Sequence, residues 1–196
     1  MSPWELLAVI FAIAYLLLAV RENVLCWFFA FISTAIYTVL FWDVSLLMDS
    51  ALNVYYMAMA IYGWHQWTRG GNNKVEEPHA LAVRSMSGHQ HVLIITAIVF
   101  LSLVSGYLLY QHSDAAWPYI DSFTTWASVI TTYLVTQKYL QNWLYWIVID
   151  AVAVPLYIER GLHLTALLFV VYIVIAVIGY ISWRNHYRNN GQCLAD

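Results

Sequence analysis

Residues 141–158 run QNWLYWIVIDAVAVPLYI, and this stretch decides the kind of fold. As an α-helix it reaches about 27 Å at 1.5 Å per residue, close to the ~30 Å thickness of a bilayer's hydrocarbon core. Such a run belongs in a membrane, yet it carries a carboxylate, Asp150, near its middle, with two indoles, Trp143 and Trp146, before it. Ionisable groups at that depth are expensive and face protein or a water-filled cavity. Six more apolar runs accompany it, at about residues 4–20, 23–41, 44–66, 91–110, 121–138 and 163–183, so seven transmembrane helices are expected. The joints are short and polar: Arg21-Glu22, Trp42-Asp43, Lys138 to Gln141, and Glu159-Arg160-Gly161. Only residues 67–90 form a long polar stretch, with Gly70-Gly71 and Pro78, and they are expected to be a flexible surface loop.

The bulk numbers agree. The chain has 196 residues, 62% of them hydrophobic, 17% aromatic and 10% charged, with a mean hydropathy of +0.66. Water-soluble domains carry about 25% charged residues, and disordered chains are poor in apolar ones, so both classes are excluded. A net charge of −3 with no basic stripe leaves nothing to track a nucleic-acid backbone. Cys26 and Cys193 stand alone in the sequence, so neither a disulfide nor a metal site is expected. The first 20 residues lack the basic start and the cleavage site of a secretory signal, so they are expected to be the first permanent helix. The organisation expected is one transmembrane domain, residues 1–196. It divides into a three-helix unit (1–67), a cytoplasmic loop (68–90), a linker helix (91–111), a second three-helix unit (121–184) and a cytoplasmic tail (185–196).

Charge placement sets orientation. With seven crossings, Arg160 falls on one side, and Arg21, Arg69, Lys74, Arg84, Lys138, Arg184 and Arg188 fall on the other. Basic residues favour the cytoplasm, so the N-terminus is expected outside and the C-terminus inside. Trp4, Trp42 and Trp117 then mark the outer interface, and Trp64, Trp67 and Trp183 the inner one. Sliding the chain by 119 residues lays Asn23, Leu25 and Trp27 over Asn142, Leu144 and Trp146, and Trp64 over Trp183. The first three helices thus repeat as the last three, in the same membrane orientation, with the fourth as an inverting linker. Such parallel repeats are associated with transporters whose site lies where the repeats meet.

Polar residues inside the spans share faces. On the sixth, Trp143, Trp146, Asp150 and Tyr157 fall within an arc of roughly 60°, with Asp150 about 13 Å from the inner end. Indoles beside a carboxylate suit a flat cation, through cation–π contact and charge; the alternative is a protonated structural Asp bonded to a neighbouring helix. On the third, Asp49, Asn53, Tyr56, Ala60 and Trp64 align. The Asn53 amide fits a ribose hydroxyl or a carboxamide, and equally an interhelical hydrogen bond. On the fifth, Asp121, Thr125, Ser128, Thr132 and Thr136 align, favouring close helix packing and secondarily a permeation path. Pro155 is expected to kink the sixth helix. No phosphate-binding loop, zinc-hydrolase or serine-hydrolase motif, or dinucleotide glycine pattern occurs, and the seven histidines lie in loops or near helix ends. An enzyme or an ATP-driven pump is therefore not expected.

With Trp143-x-x-Trp146-x-x-x-Asp150, Tyr62-Gly63-Trp64-x-x-Trp67, Asp121-Ser122 and Gln141-Asn142-Trp143 in place, the chain resembles the PnuC family of vitamin transporters from Glu22 to about Trp183. The resemblance implies a SWEET-like fold of two parallel three-helix bundles and a linker. It implies a homotrimer in the bacterial inner membrane and uptake of nicotinamide riboside by facilitated diffusion with alternating access. A cytosolic kinase would trap the product for NAD salvage. It places the substrate on Trp143, Trp146 and Asp150, with Asn53, where relatives often have glutamine, Tyr56, Ser128 and Thr132 as further candidate contacts. No cofactor and no metal are implied. Thiamine is the alternative substrate, a flat cation like the riboside, and neutral riboflavin ranks third.

Overall fold

The computed structural model describes residues 3–43, 47–69, 81–112, 117–159 and 163–192, and at 47–49, 164–165 and 190–192 the backbone alone. It contains α1 (Pro3–Val20), α2 (Cys26–Asp43), α3 (Leu47–Arg69), α4 (Gly88–His112), α5 (Pro118–Thr136), α6 (Asn142–Glu159) and α7 (His163–Gln192). The seven expected helices are all present, with α7 running some nine residues further than its apolar stretch. Proline opens α1 and α5, where its missing N–H is one the first turn leaves unbonded anyway. Four helical stretches among the described residues are long and apolar enough to cross a membrane: α1, α2, α4 and Ala166–Asn189 of α7. The other three, α3, α5 and α6, are the ones that carry every candidate site residue. Their polar stripes dilute the apolar signal.

The chain forms two compact units. One consists of Met1–Val83, Val135–Lys138 and Ile181–Asp196; the other of Arg84–Leu134 and Tyr139–Tyr180. In the first, α2 packs on both α1 and α3. Ser33 donates from α2 to the Ala8 carbonyl of α1 at 2.9 Å, and Ser50 donates from α3 to the Thr38 carbonyl of α2 at 2.9 Å. Small hydroxyls serve here because they allow close approach and find a carbonyl across the seam. In the second unit Ile98 of α4, Ala127 of α5 and Ile149 of α6 form a buried cluster, with Phe123, Tyr145 and Trp146 packed on it. Trp126 of α5 donates its indole N–H to Ser105 of α4 at 3.0 Å, and Tyr145 of α6 shares a 2.8 Å hydrogen bond with His91 of α4.

The expected loop at 67–90 is ordered over its described last part. Arg84 forms a bridge to Tyr139, and its carbonyl accepts the Leu140 N–H at 2.8 Å. The Gln141 side chain accepts the Met86 N–H at 3.0 Å and donates to Ser85 at 2.7 Å. Residues 84–86 are thus a strap tied across the α5–α6 turn. Residues 70–80, with Lys74 and Pro78, lie outside the described part.

The repeat is confirmed, but its register is corrected from 119 to 116 residues. Glu22 and Lys138, 116 positions apart, have positive φ values of 54° and 52°. Each ends a helix in the same way. Glu22 N–H bonds Ala19 and Asn23 N–H bonds Leu18; Lys138 N–H bonds Val135 and Tyr139 N–H bonds Leu134, all at 3.0–3.1 Å. This is the left-handed Schellman ending, executed twice. The same shift carries Trp27, against which Gly63 packs, onto Trp143, against which Gly179 packs. It carries Tyr56, Ala60, Gly63 and Trp67 onto Tyr172, Ala176, Gly179 and Trp183 without a gap.

Candidate functional site

Asp150 is 4% exposed and makes no hydrogen bond or ion pair with any described residue. It lies eight residues from the start of α6, about 12 Å along the helix. Ser128, eight residues before the end of α5, lies equally far from the same turn and is also buried. A buried polar group without a partner demands an explanation, and a carboxylate most of all. The alternative of a structural Asp bonded to a neighbouring helix finds no partner among the described residues.

The rest of the α6 face is graded. Trp143 is 2% exposed, and a methyl group added at Gly179 would come within 2.7 Å of its ring. Its counterpart Trp27 stands against Gly63 in the same way, so this tryptophan belongs to the packing plan of both repeats. Trp146 differs: half-buried, it rests on Ile98, Ala127 and Ile149 and keeps part of its surface open. Two turns beyond Asp150, Tyr157 packs on Phe169 of α7 with ring centres 4.9 Å apart.

The corrected register makes the asymmetry legible. Where α6 has Trp146 and Asp150, α2 has Ala30 and Thr34, and the Thr34 hydroxyl donates to its own helix at 2.8 Å. Where α3 has Asn53, α7 has Phe169. Positions that serve the fold repeat; Trp146, Asp150 and Asn53 do not. Asn53 is buried at 9% exposure and Tyr56 is half-buried; both belong to the other compact unit and have interactions of their own. The Asp49 side chain lies outside the described residues.

On α5 the hydroxyls mostly bond their own helix: Thr125 donates to Asp121 and Thr132 to Ser128, each at 2.8 Å. The hydroxyl protons of Thr125 and Thr132 are thus bonded within α5. Thr131, fully buried, has a hydroxyl with no hydrogen-bond partner among the described residues. The sequence stripe passed over it by stepping four residues from Ser128 to Thr132 rather than three to Thr131. Two of the supposed interface tryptophans are also corrected. Trp67 and Trp183 are 4% and 0% exposed and sit inside the protein, whereas Trp4, Trp42, Trp64 and Trp117 are exposed as expected. No group of three or more metal-binding side chains occurs among the described residues.

This arrangement can hold a flat cation: a carboxylate with no partner among the described residues, an indole one turn away and buried hydroxyls. The chain as a whole is similar to known transporters. The family model described as "Nicotinamide mononucleotide transporter" matches residues 2–185. The nicotinamide riboside transporter PnuC of Escherichia coli (strain K12) is 28% identical over 196 residues, covering 89% of this chain and 82% of that one. The riboflavin/roseoflavin transporter RibM of Streptomyces davaonensis is 23% identical over 137 residues, 69% of this chain and 63% of its own. The crystal structure of the vitamin B3 transporter PnuC superposes with a TM-score of 0.75 at 22% identity, covering 95% of this chain and 82% of that chain. The fold is therefore that of a multi-pass membrane transporter, and the chain belongs to the nicotinamide mononucleotide transporter family.

Proposed function

We propose that this protein carries nicotinamide riboside across the membrane by facilitated diffusion with alternating access. The observation that carries this reading is Asp150: a buried carboxylate with no partner among the described residues, one turn from Trp146, at two positions where the repeat is broken. The riboside has a pyridinium ring, whose charge a carboxylate neutralises and whose face an indole covers. In this reading Asp150 and Trp146 contact the ring, Trp143 holds α6 against Gly179, and Ser128 and Thr132 line the α5 side. Asn53 and Tyr56, in the first compact unit, are further candidates, with an amide and a phenol whose chemistry suits sugar hydroxyls. The name of the Escherichia coli relative supports this substrate.

We further propose a bacterial inner-membrane location with the N-terminus outside, a homotrimer, and trapping by a cytosolic kinase. The distribution of basic residues supports the orientation. Calorimetry on purified protein tests the substrate: heat is expected with nicotinamide riboside, and heat with thiamine or riboflavin alone would reject it. The wild type is expected to load liposomes down a riboside gradient without a pH gradient.

A further inference from the structure

The two left-handed helix endings carry charged side chains where glycine is usual. Glycine adopts positive φ freely, while a side chain there is strained, so such positions ordinarily go to glycine. This chain places Glu22 at one and Lys138 at the other, and their side chains meet: Lys138 Nζ donates to Glu22 Oε2 at 2.9 Å. Strain that a fold keeps points to a use for the side chains. Lys138 is 3% exposed, and its ammonium also lies 4.5 Å from the centre of the Trp67 ring.

Around this pair the repeats cross-connect. Trp67, at the end of α3 in the first repeat, donates its indole N–H to the Thr136 carbonyl that closes α5 in the second, at 3.2 Å. Trp183 of α7, its counterpart, donates to the Ala19 carbonyl near the end of α1, at 3.0 Å. The two indoles lie 6.0 Å apart. His186 of α7 closes on the other oxygen of Glu22 at 2.6 Å. Each repeat thus holds the helix end of the other, and the Glu22–Lys138 ion pair joins them. These contacts all lie at the basic end of the helices.

We infer that Glu22 and Lys138 are gate residues: their ion pair, flanked by Trp67 and Trp183, closes the basic end of the transport path and must part in each cycle. This rests on the transport reading above. Four residues after Glu22, Cys26 is fully buried, and it reports on opening.

In a C193S background, Cys26 of the otherwise native protein is treated with N-ethylmaleimide below its melting temperature. Slow labelling is expected. Glu22→Ala or Lys138→Ala is expected to speed it at least tenfold, and the exchange E22K/K138E to return it towards the starting rate. Unchanged labelling in both single variants would overturn the gate whatever the substrate proves to be. Next, E22C/K138C in a C26S/C193S background is joined by a bifunctional methanethiosulfonate in liposomes. Uptake of nicotinamide riboside is expected to stop and to return with reductant. Full uptake by the joined protein would show a permanent pin and reject the gate, as would failure of the two thiols to join. If the unmodified protein takes up no riboside, the substrate reading fails, while the Cys26 labelling still decides the gate.

Discussion

Asp150 and Trp146 are the residues on which the substrate reading turns. A cation–π contact in a desolvated site contributes about 2 kcal/mol, so Trp146→Ala is expected to weaken riboside binding roughly 30-fold in calorimetry, and Trp146→Phe by less. Asp150→Ala is expected to abolish measurable heat while leaving the thermal melt no lower, because no described residue depends on that carboxylate. Equal affinity in both variants would move the site elsewhere. Gly179 tests the packing role of Trp143. A methyl group there would stand 2.7 Å from the indole, and overpacking costs about 1–3 kcal/mol. Gly179→Ala is therefore expected to lower the melting temperature, and Gly63→Ala to do the same through Trp27.

Among the elements, α6 is held from outside. The strap at residues 84–86 bonds Leu140 and Gln141, the residues just before Asn142 opens α6. The first repeat has Leu25 where the second has Gln141, and there Asn23 caps the Leu25 N–H instead, at 2.9 Å. Gln141→Leu would remove two hydrogen bonds, each contributing about 1 kcal/mol, and leave the helix itself intact. Hydrogen exchange is expected to quicken at the Met86 and Leu140 amides and to stay unchanged along α4. The strap was not legible in the sequence, where residues 67–90 show only polar and turn-forming composition. Its order comes from side chains of a turn some 55 residues away.

For the whole molecule, the repeat is the organising fact, and its two matching helix endings meet in a charged contact. Removing one partner of a buried ion pair leaves the other uncompensated, at a cost of order 3 kcal/mol. Glu22→Ala, which strands Lys138, is expected to melt well below the wild type in detergent. Replacing both residues by glycine removes both charges and both strained positions. That double variant is expected to melt above Glu22→Ala; a lower melt would mean that the pair itself, not the stranded lysine, dominates stability. The sequence showed that a repeat exists but misjudged its register by three residues. The reason is specific: Trp64 and Trp67 are three apart, as are Trp143 and Trp146, so a slip of three still superposes tryptophan on tryptophan. The glycines that receive Trp27 and Trp143 remove the ambiguity.

The sequence by itself determined the class, the seven helices, the repeat and the α6 face with Asp150, because bilayer thickness, helical periodicity and the cost of charge in hydrocarbon are all written in local composition. Tertiary structure alone decided which tryptophans pack and which stay open, that Asp150 has no partner among the described residues, and that Glu22 meets Lys138. Those are contacts between residues far apart in the chain, and local composition holds no record of who stands opposite whom.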